Sequence, residues 1–145
     1  MEKDVKWCDY FKDNRRYADI INGVACKGQQ VVSQEELTEL DTRSKKKFRD
    51  LICKVAMGVN FAIVGIENQD EIDYELPVRI MEYDIACYRQ QIAAISKKVR
   101  ENPKNLNLGE YMYGFKKESR LYPVTTIVLY AGIEPWDGSE SLHEM

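Results

Sequence analysis

Apolar and polar positions along the chain follow two periods, one typical of strands and one of helices. Short apolar or β-branched runs bounded by polar and glycine-containing segments predict strands, and apolar residues three and four positions apart predict helices. The predicted elements are a helix from Arg15 to about Ala25 after Asp13-Asn14, strands at 48–55 and 61–66 joined by a turn at 57–60, and a strand at 122–130. A Ser33 and Glu36 capping box indicates a short helix or turn between them.

The clearest helix follows Pro77 and ends at Asn102-Pro103. Its apolar residues alternate spacings of three and four and form one stripe: Val78, Met81, Ile85, Tyr88, Ile92, Ile95 and Val99. We expect this stripe to pack on the sheet, although a coiled coil with a partner helix fits the same spacing. The chain is predicted to form a single α/β domain, residues 1–145, with a central mixed β-sheet flanked by helices.

Composition bounds the function without deciding it. The chain has 145 residues, 44% of them hydrophobic and 31% charged, with a net charge of −3. No apolar stretch reaches the length that crosses a bilayer, and no signal-peptide core is present at the start, so the expected location is cytoplasmic with no membrane partner. The four cysteines are scattered and there is one histidine, which disfavours a zinc site.

Candidate chemistry lies where the predicted central strand ends. The apolar run Phe61 to Ile66 stops at Glu67-Asn68-Gln69, and Asp50 stands in the preceding strand. Side chains alternate across a strand, so Glu67 and Gln69 should share one side while Asn68 points away. In an antiparallel hairpin Asp50 and Glu67 become neighbours, and two carboxylates with an amide are typical ligands of Mg²⁺. The pattern predicts a metal-dependent hydrolase.

The order of predicted elements is that of the PD-(D/E)XK nuclease core, which is restriction-endonuclease-like. Four segments, taken in order, resemble the Rpn family of recombination-promoting nucleases, also described as PD-(D/E)XK nuclease family transposases. They are Asp13 to Gly23, Gly65 to Gln69, Leu76 to Arg79 with Tyr83-Asp84 following, and Tyr130 to Met145. The resemblance implies a magnesium-dependent DNA endonuclease that promotes recombination and is linked to mobile elements, with DNA as its partner.

The resemblance also implies roles for single residues. Asp50 matches the first acid and Glu67 the second, and these two with the backbone carbonyl of Asn68 would bind Mg²⁺, for which Mn²⁺ can substitute. Gln69 stands where many relatives in the wider superfamily carry lysine. Its neutral amide can orient a water but brings no positive charge to the transition state. Activity is therefore expected to be slow or to rely more on the metal.

Several further residues are candidates for a role in the site, and each also has an interpretation as an ordinary structural or surface residue. Asp19 on the first helix is either an auxiliary ligand or a capping or surface carboxylate. Arg79 and Tyr83, one helical turn apart, either reach the site and a DNA phosphate or form a surface pair. The basic residues before Asp50 are candidates for phosphate contact, although charge runs are usually solvated surface: Arg43, Lys45, Lys46, Lys47 and Arg49.

An alternative function follows from the same residues. Glutamine at position 69 and a chain that stops at Met145, where family members generally continue, favour a catalytically weak or inactive nuclease fold. Such a module would act in DNA binding or oligomerisation, including as a homodimer. The early stop implies a truncated gene product or an isolated nuclease core.

Overall fold

The structure is a computed structural model that describes residue 10 and residues 13–39, 51–57 and 60–145, with only the backbone described at residues 39, 51–57, 60 and 61. It contains both helices and strands, as the α/β prediction requires. The helices are α1 (Asn14–Val24), α2 (Leu76–Glu101) and α3 (Leu108–Tyr113). The strands are β1 (Leu37–Glu39), β2 (Leu51–Met57), β3 (Asn60–Gln69) and β4 (Val124–Tyr130).

The four strands form one mixed sheet in the order β1-β2-β3-β4. The first three are antiparallel neighbours, and β4 lies parallel to β3. The predicted hairpin is confirmed, because β2 pairs with β3 from Leu51↔Ile66 to Met57↔Asn60. A parallel neighbour requires a crossover, and α2 supplies most of it between β3 and β4.

Two features of the sheet were not predicted. Strand β1 follows the 3₁₀ turn Gln34–Glu36 directly, and its three residues are too few to show a period. Strand β3 continues to Gln69, three residues beyond the end of the predicted strand at 61–66. The extension is stabilised by β4, which pairs with β3 up to Gln69↔Tyr130 and adds a hydrogen bond from Ala131 N to the Gln69 carbonyl at 2.8 Å.

Helix α1 covers one face of the sheet. Its N-terminus is capped by Asp13, whose side chain accepts a hydrogen bond from the Arg15 amide at 3.0 Å. The apolar core beneath the helix is made of buried side chains from α1, β1, β3, β4 and the α1–β1 link: Tyr17, Ala18, Ile21, Val32, Leu37, Val64, Ile66 and Ile127. This face therefore holds the main apolar core.

Helix α2 covers the opposite face, but not through the predicted stripe. Val78, Met81 and Ile85 are 37%, 40% and 50% exposed, so the expectation that this half of the stripe packs on the sheet was wrong. The helix instead buries Leu76, Tyr83, Cys87 and Val99. The reason is the mixed character of this sheet face, where Glu67 and Thr126 stand beside apolar residues such as Val128: Thr126 donates a hydrogen bond to Asp84 at 3.1 Å, and a mixed helix face matches it better than an apolar one.

Among the described residues, no helix is both long and apolar enough to cross a membrane. Helix α2 is long, but charged residues are spread over its two ends, from Arg79 to Arg89 and from Lys97 to Glu101.

Candidate functional site

The site lies where the carboxyl ends of β3 and β4 meet the first turn of α2. Glu67 pairs with Val128 and Gln69 with Tyr130 at this end of the parallel ladder. The α2 helix begins at Leu76, so Arg79 lies in its first turn, above the same edge. In open α/β sheets, ligands bind outside the carboxyl ends of parallel strands. The local topology thus brings three predicted site residues to a position suited to a ligand.

Glu67 is the centre of the cluster. Glu67 is only 6% exposed, which is unusual for a glutamate at a strand end. The Arg79 guanidinium donates to Glu67 Oε1 at 3.1 Å, and Gln69 Nε2 donates to the same oxygen at 3.3 Å. The contact between Gln69 and Glu67 agrees with the strand alternation that places both side chains on one side. Arg79 and Gln69 together compensate the burial of the carboxylate.

Arg79 joins two carboxylates. Its Nη1 lies 2.5 Å from Asp73 Oδ2, and its Nη2 makes the bond to Glu67. Asp73 is itself held by the loop before α2, because its Oδ1 accepts a hydrogen bond from the Glu75 amide at 2.9 Å. The arginine side chain remains 31% exposed. The described part of the cluster thus contains two carboxylates and one guanidinium, with an edge open to solvent.

The backbone carbonyl of Asn68 points away from β4. The carbonyl of the next residue, Gln69, accepts from Ala131 of the β4 side, and successive carbonyls of a strand point in opposite directions within the sheet. The Asn68 carbonyl is therefore directed toward the β2 side. The described part of β2 begins at Leu51, the partner of Ile66, one residue before Glu67.

Several predicted site residues lie outside the described residues. They are Asp50 and the basic residues Arg43, Lys45, Lys46, Lys47 and Arg49. The predicted meeting of Asp50 with Glu67 and Gln69 stays a prediction.

The two remaining candidates, Asp19 and Tyr83, lie on different helices. Asp19 is exposed on α1, which packs on the sheet face opposite Glu67, and none of the contacts described for it joins it to the Glu67 cluster. Tyr83 is buried on α2, one turn after Arg79. The structure therefore brings Arg79 into the cluster by direct contact, and it leaves the auxiliary roles of Asp19 and Tyr83 as predictions.

Asp73 was missed by the sequence analysis. It lies in the acidic stretch between β3 and α2, where several carboxylates follow one another and none stands out. Its position six residues before Arg79 was the available signal, since the turn preceding a helix can bring such a residue back over the first turn. Two groups of the described cluster, Asp73 and Arg79, thus come from the start of the crossover and not from the sheet.

The donor types fit a hard divalent cation. Glu67 offers a carboxylate and Asn68 a backbone carbonyl, both oxygen ligands of the kind Mg²⁺ prefers. Within the part of the chain that the structure describes, however, no three acidic, histidine or cysteine side chains are grouped so as to hold a metal ion. A cation here would share the Glu67 carboxylate with the Arg79 guanidinium and would require a further carboxylate.

A comparison of the chain with family models, with curated proteins and with solved structures finds no match. The resemblance to the Rpn nucleases therefore stays a prediction that depends on the sequence motifs. The description of the site depends on the geometry around Glu67 alone.

Proposed function

We propose that the protein is a magnesium-dependent DNA endonuclease with a PD-(D/E)XK-type core. The observation that carries the proposal is the placement of Glu67 and Gln69 side by side at the carboxyl end of β3, with their side chains in contact at 3.3 Å. In such a site the second acid and the water-orienting residue stand two positions apart on one strand. Buried, hydrogen-bonded side chains of this kind are held in a fixed geometry, which catalysis requires.

The hairpin supports the assignment of the first acid to Asp50. Leu51 pairs with Ile66, and Asp50 and Glu67 are the residues next to these two along their chains. We propose that Asp50 and Glu67 with the Asn68 carbonyl hold the cation. When bound, Mg²⁺ lowers the pKa of a coordinated water and stabilises negative charge on the phosphate. Gln69 would orient the attacking water through its amide.

Arg79 has a second role in this proposal. Its guanidinium is tied to Glu67 and Asp73 and is partly exposed, so it can hold the carboxylate in place and face a phosphate oxygen at the open edge. The absence of lysine at position 69 makes this the cation closest to the reaction among the described residues. The charge that Gln69 cannot bring would in part come from α2.

The positions of the other charged residues limit which of them can contact DNA near the site. The exposed cations near the end of α2, such as Arg100, are about 30 Å from Arg79 along the helix axis at 1.5 Å per residue. They are too distant to contact the phosphate that is cut. The loop from Asp70 to Glu75 beside the site is acidic. Phosphate contact next to the reaction is therefore assigned to the basic run from Arg43 to Arg49.

Plasmid nicking with Mg²⁺ tests the proposal. The wild-type protein is expected to nick supercoiled plasmid, and Glu67→Gln, which keeps the shape but removes the charge, is expected to lose the activity at least about a hundredfold. Glu101→Gln is the matched control, because Glu101 is exposed at the far end of α2. If the wild-type and Glu67→Gln proteins nick equally, the enzyme proposal fails.

A gain of function sharpens the same test. Gln69→Lys restores the residue that many superfamily members carry, and it places a cation beside Glu67. We expect faster nicking than in the wild type, by roughly tenfold or more, if Gln69 faces the attacking water. A lower rate with unchanged folding, measured by circular dichroism, would contradict the assigned role of Gln69.

A second candidate is a catalytically inactive nuclease fold that binds DNA. The Arg79 contact to Glu67 favours it, because a carboxylate already neutralised by a guanidinium has less need of a cation. This candidate predicts that wild type and Glu67→Gln bind DNA equally without nicking it. Binding should weaken steeply with salt, and replacing Lys45, Lys46 and Lys47 by glutamine should reduce the salt dependence.

A further inference from the structure

A cavity of about 300 Å³ lies beside the Glu67 cluster, between the start of α2, the end of β4 and the segment that follows β4. Its walls are mainly apolar and aromatic. They include Leu76, Ile80, Val128, Tyr130 and Trp136, with Glu140 at the margin. The volume is at the small end of the range for ligand sites, which suits a single side chain better than an extended small molecule.

The two aromatic walls are fixed by their polar edges. Trp136 Nε1 donates a hydrogen bond to the Gly138 carbonyl at 2.7 Å, and the Tyr130 hydroxyl donates to the Glu134 carbonyl at 2.7 Å. The rings meet edge to face with their centroids 5.1 Å apart. Because the N–H and O–H groups are already used within the protein, the rings present mainly apolar and π surface to the cavity.

The surroundings of the cavity are strongly acidic. Residues 68–79 and 130–145, which lead into α2 and follow β4, together contain eight Asp and Glu residues, no Lys and a single Arg, Arg79, which is already paired with Glu67 and Asp73. Glu140 lines the cavity itself, and Asp137 Oδ1 accepts a hydrogen bond from the Tyr74 hydroxyl at 3.1 Å. Desolvation raises the pKa of Tyr130, and the negative charges of Glu71, Glu134 and Asp137 raise it further.

We propose that this cavity binds a lysine or arginine side chain from a basic segment of a partner polypeptide. The aliphatic stem of such a side chain would lie against the apolar wall, and its charge would face the aromatic rings and the carboxylates. The same negative field repels the phosphates of a nucleic acid, which excludes DNA as the occupant. The proposal is independent of nuclease activity.

The neighbouring strand edge favours a polypeptide over a free amine. Within the described sheet, β4 is the outer strand, with β3 on one side only. An extended peptide can pair along such an edge, and alternate side chains of the added strand then face the same side as Val128 and Tyr130. Backbone pairing would supply affinity, and the cavity would select a basic residue.

Fluorescence of Trp136 tests the proposal. The chain has two tryptophans, so a Trp7→Phe protein reports from Trp136 alone. The probe is a capped heptapeptide with the sequence of residues 42–48, Thr-Arg-Ser-Lys-Lys-Lys-Phe, and the control peptide has glutamine at the four basic positions. We expect a saturable change in emission with the basic peptide, weaker at higher salt, and none with the glutamine peptide.

Variants that each remove one negative charge test whether the acidic residues around the cavity bind the basic peptide. Glu140→Gln and Glu134→Gln should each weaken binding of the basic peptide by about fivefold, the effect of one nearby charge in a largely aqueous setting. Glu101→Gln, remote from the cavity, removes the same charge and should leave binding unchanged. Thermal unfolding of each variant verifies that it is folded.

Three results would overturn the proposal. They are the absence of any change in Trp136 emission with the basic peptide, an equal response to the glutamine peptide, and equal binding by Glu140→Gln, Glu134→Gln and Glu101→Gln proteins. A saturable response to adenosine monophosphate that exceeds the response to the basic peptide would also overturn it, because the cavity would then select a base. Each of these outcomes leaves the nicking experiment unaffected.

Discussion

The two faces of the sheet differ in the side chains that they place beneath their helices. The face covered by α1 buries a continuous apolar core around Ile66 and Tyr17, whereas the face covered by α2 holds an ion pair between the buried Glu67 and the partly exposed Arg79. Ile66 and Glu67 are consecutive residues of β3, and their side chains point to opposite faces of the sheet. The difference teaches that alternation along one strand can separate stability from chemistry at the scale of a single residue.

The largest effect is expected on the α1 face. Ile66 is completely buried, so Ile66→Ala removes contacts and leaves a cavity, and the free energy of unfolding should fall by about 2–5 kcal/mol. Urea denaturation measures the loss. The control is Ile85→Ala on α2, where the side chain is half exposed and the expected loss is below about 1 kcal/mol. Equal losses would remove the distinction between the two faces.

A buried amide on the α1 side gives the next largest effect. Asn22 is 1% exposed, and its side chain donates to the Val32 carbonyl at 2.8 Å and accepts from the Val31 and Val32 amides at 3.0 and 2.8 Å. Asn22→Ala removes the side-chain partner of the Val32 amide and carbonyl, whereas the Val31 amide keeps its bond to the Gln29 carbonyl at 3.0 Å, and the loss should be about 2–3 kcal/mol.

Asn14→Ala is the control for this prediction, because the bond described for the Asn14 side chain, to the Gln34 carbonyl, is long at 3.4 Å. Thermal and urea unfolding should rank the two variants clearly. A loss of similar size at both positions would show that the amide network does not hold the link between α1 and β1.

The ion pair of the α2 face should contribute less. Arg79→Met leaves Glu67 with one donor fewer, and we expect a loss of about 1–2 kcal/mol, reduced because the arginine side chain is 31% exposed. A double-mutant cycle with Glu67→Gln should show a coupling of about 1 kcal/mol between the two residues. Additive losses would mean that the contact contributes nothing to stability.

The smallest effect concerns the cap of α1 and its dependence on pH. The backbone amide of Arg15 is the main cause of the lowered pKa of Asp13, whose usual value is 3.8. A lowered pKa in the folded state means that the stabilisation is present above that usual value and is lost as the pH falls through the folded pKa. Asp13→Asn keeps a capping oxygen but cannot titrate.

We therefore expect the wild type to exceed Asp13→Asn slightly in melting temperature near pH 6, with the difference disappearing as the pH falls through the lowered pKa of Asp13. Melting curves at several pH values measure it. A difference that grew at low pH would contradict the assigned sign.

The sequence predicted most of the helices and strands because their signals are local. The Asp13 cap, the turn between β2 and β3, and the stop of α2 at Asn102 are each set by a few neighbouring residues. The orientation of α2 was not predictable in the same way. Its apolar residues form a stripe, yet the polar side chains of the sheet beneath its first half, Glu67 and Thr126, contact Arg79 and Asp84 instead.

The sequence predicted the central residues of the candidate site, Glu67 and Gln69, but it did not predict Asp73 at the margin. Glu67 and Gln69 were expected on one side because a strand has a period of two, and their contact agrees with this. Asp73 could not be selected, because its approach to Arg79 depends on the path of the loop before α2. The burial of Glu67 was likewise beyond the sequence, since it requires a helix and a neighbouring strand to cover the position.

The parallel pairing of β3 with β4 has a consequence for the order of folding. Strands β2 and β3 are adjacent in the chain and can pair as soon as both have been synthesised, whereas β4 cannot join until the chain from Asp70 to Pro123 has followed. Closing so long a segment is slow compared with closing a hairpin. We therefore expect β4 to join the sheet after the hairpin has formed, so that the end of β3 that carries Glu67 is among the last parts of the sheet to be completed.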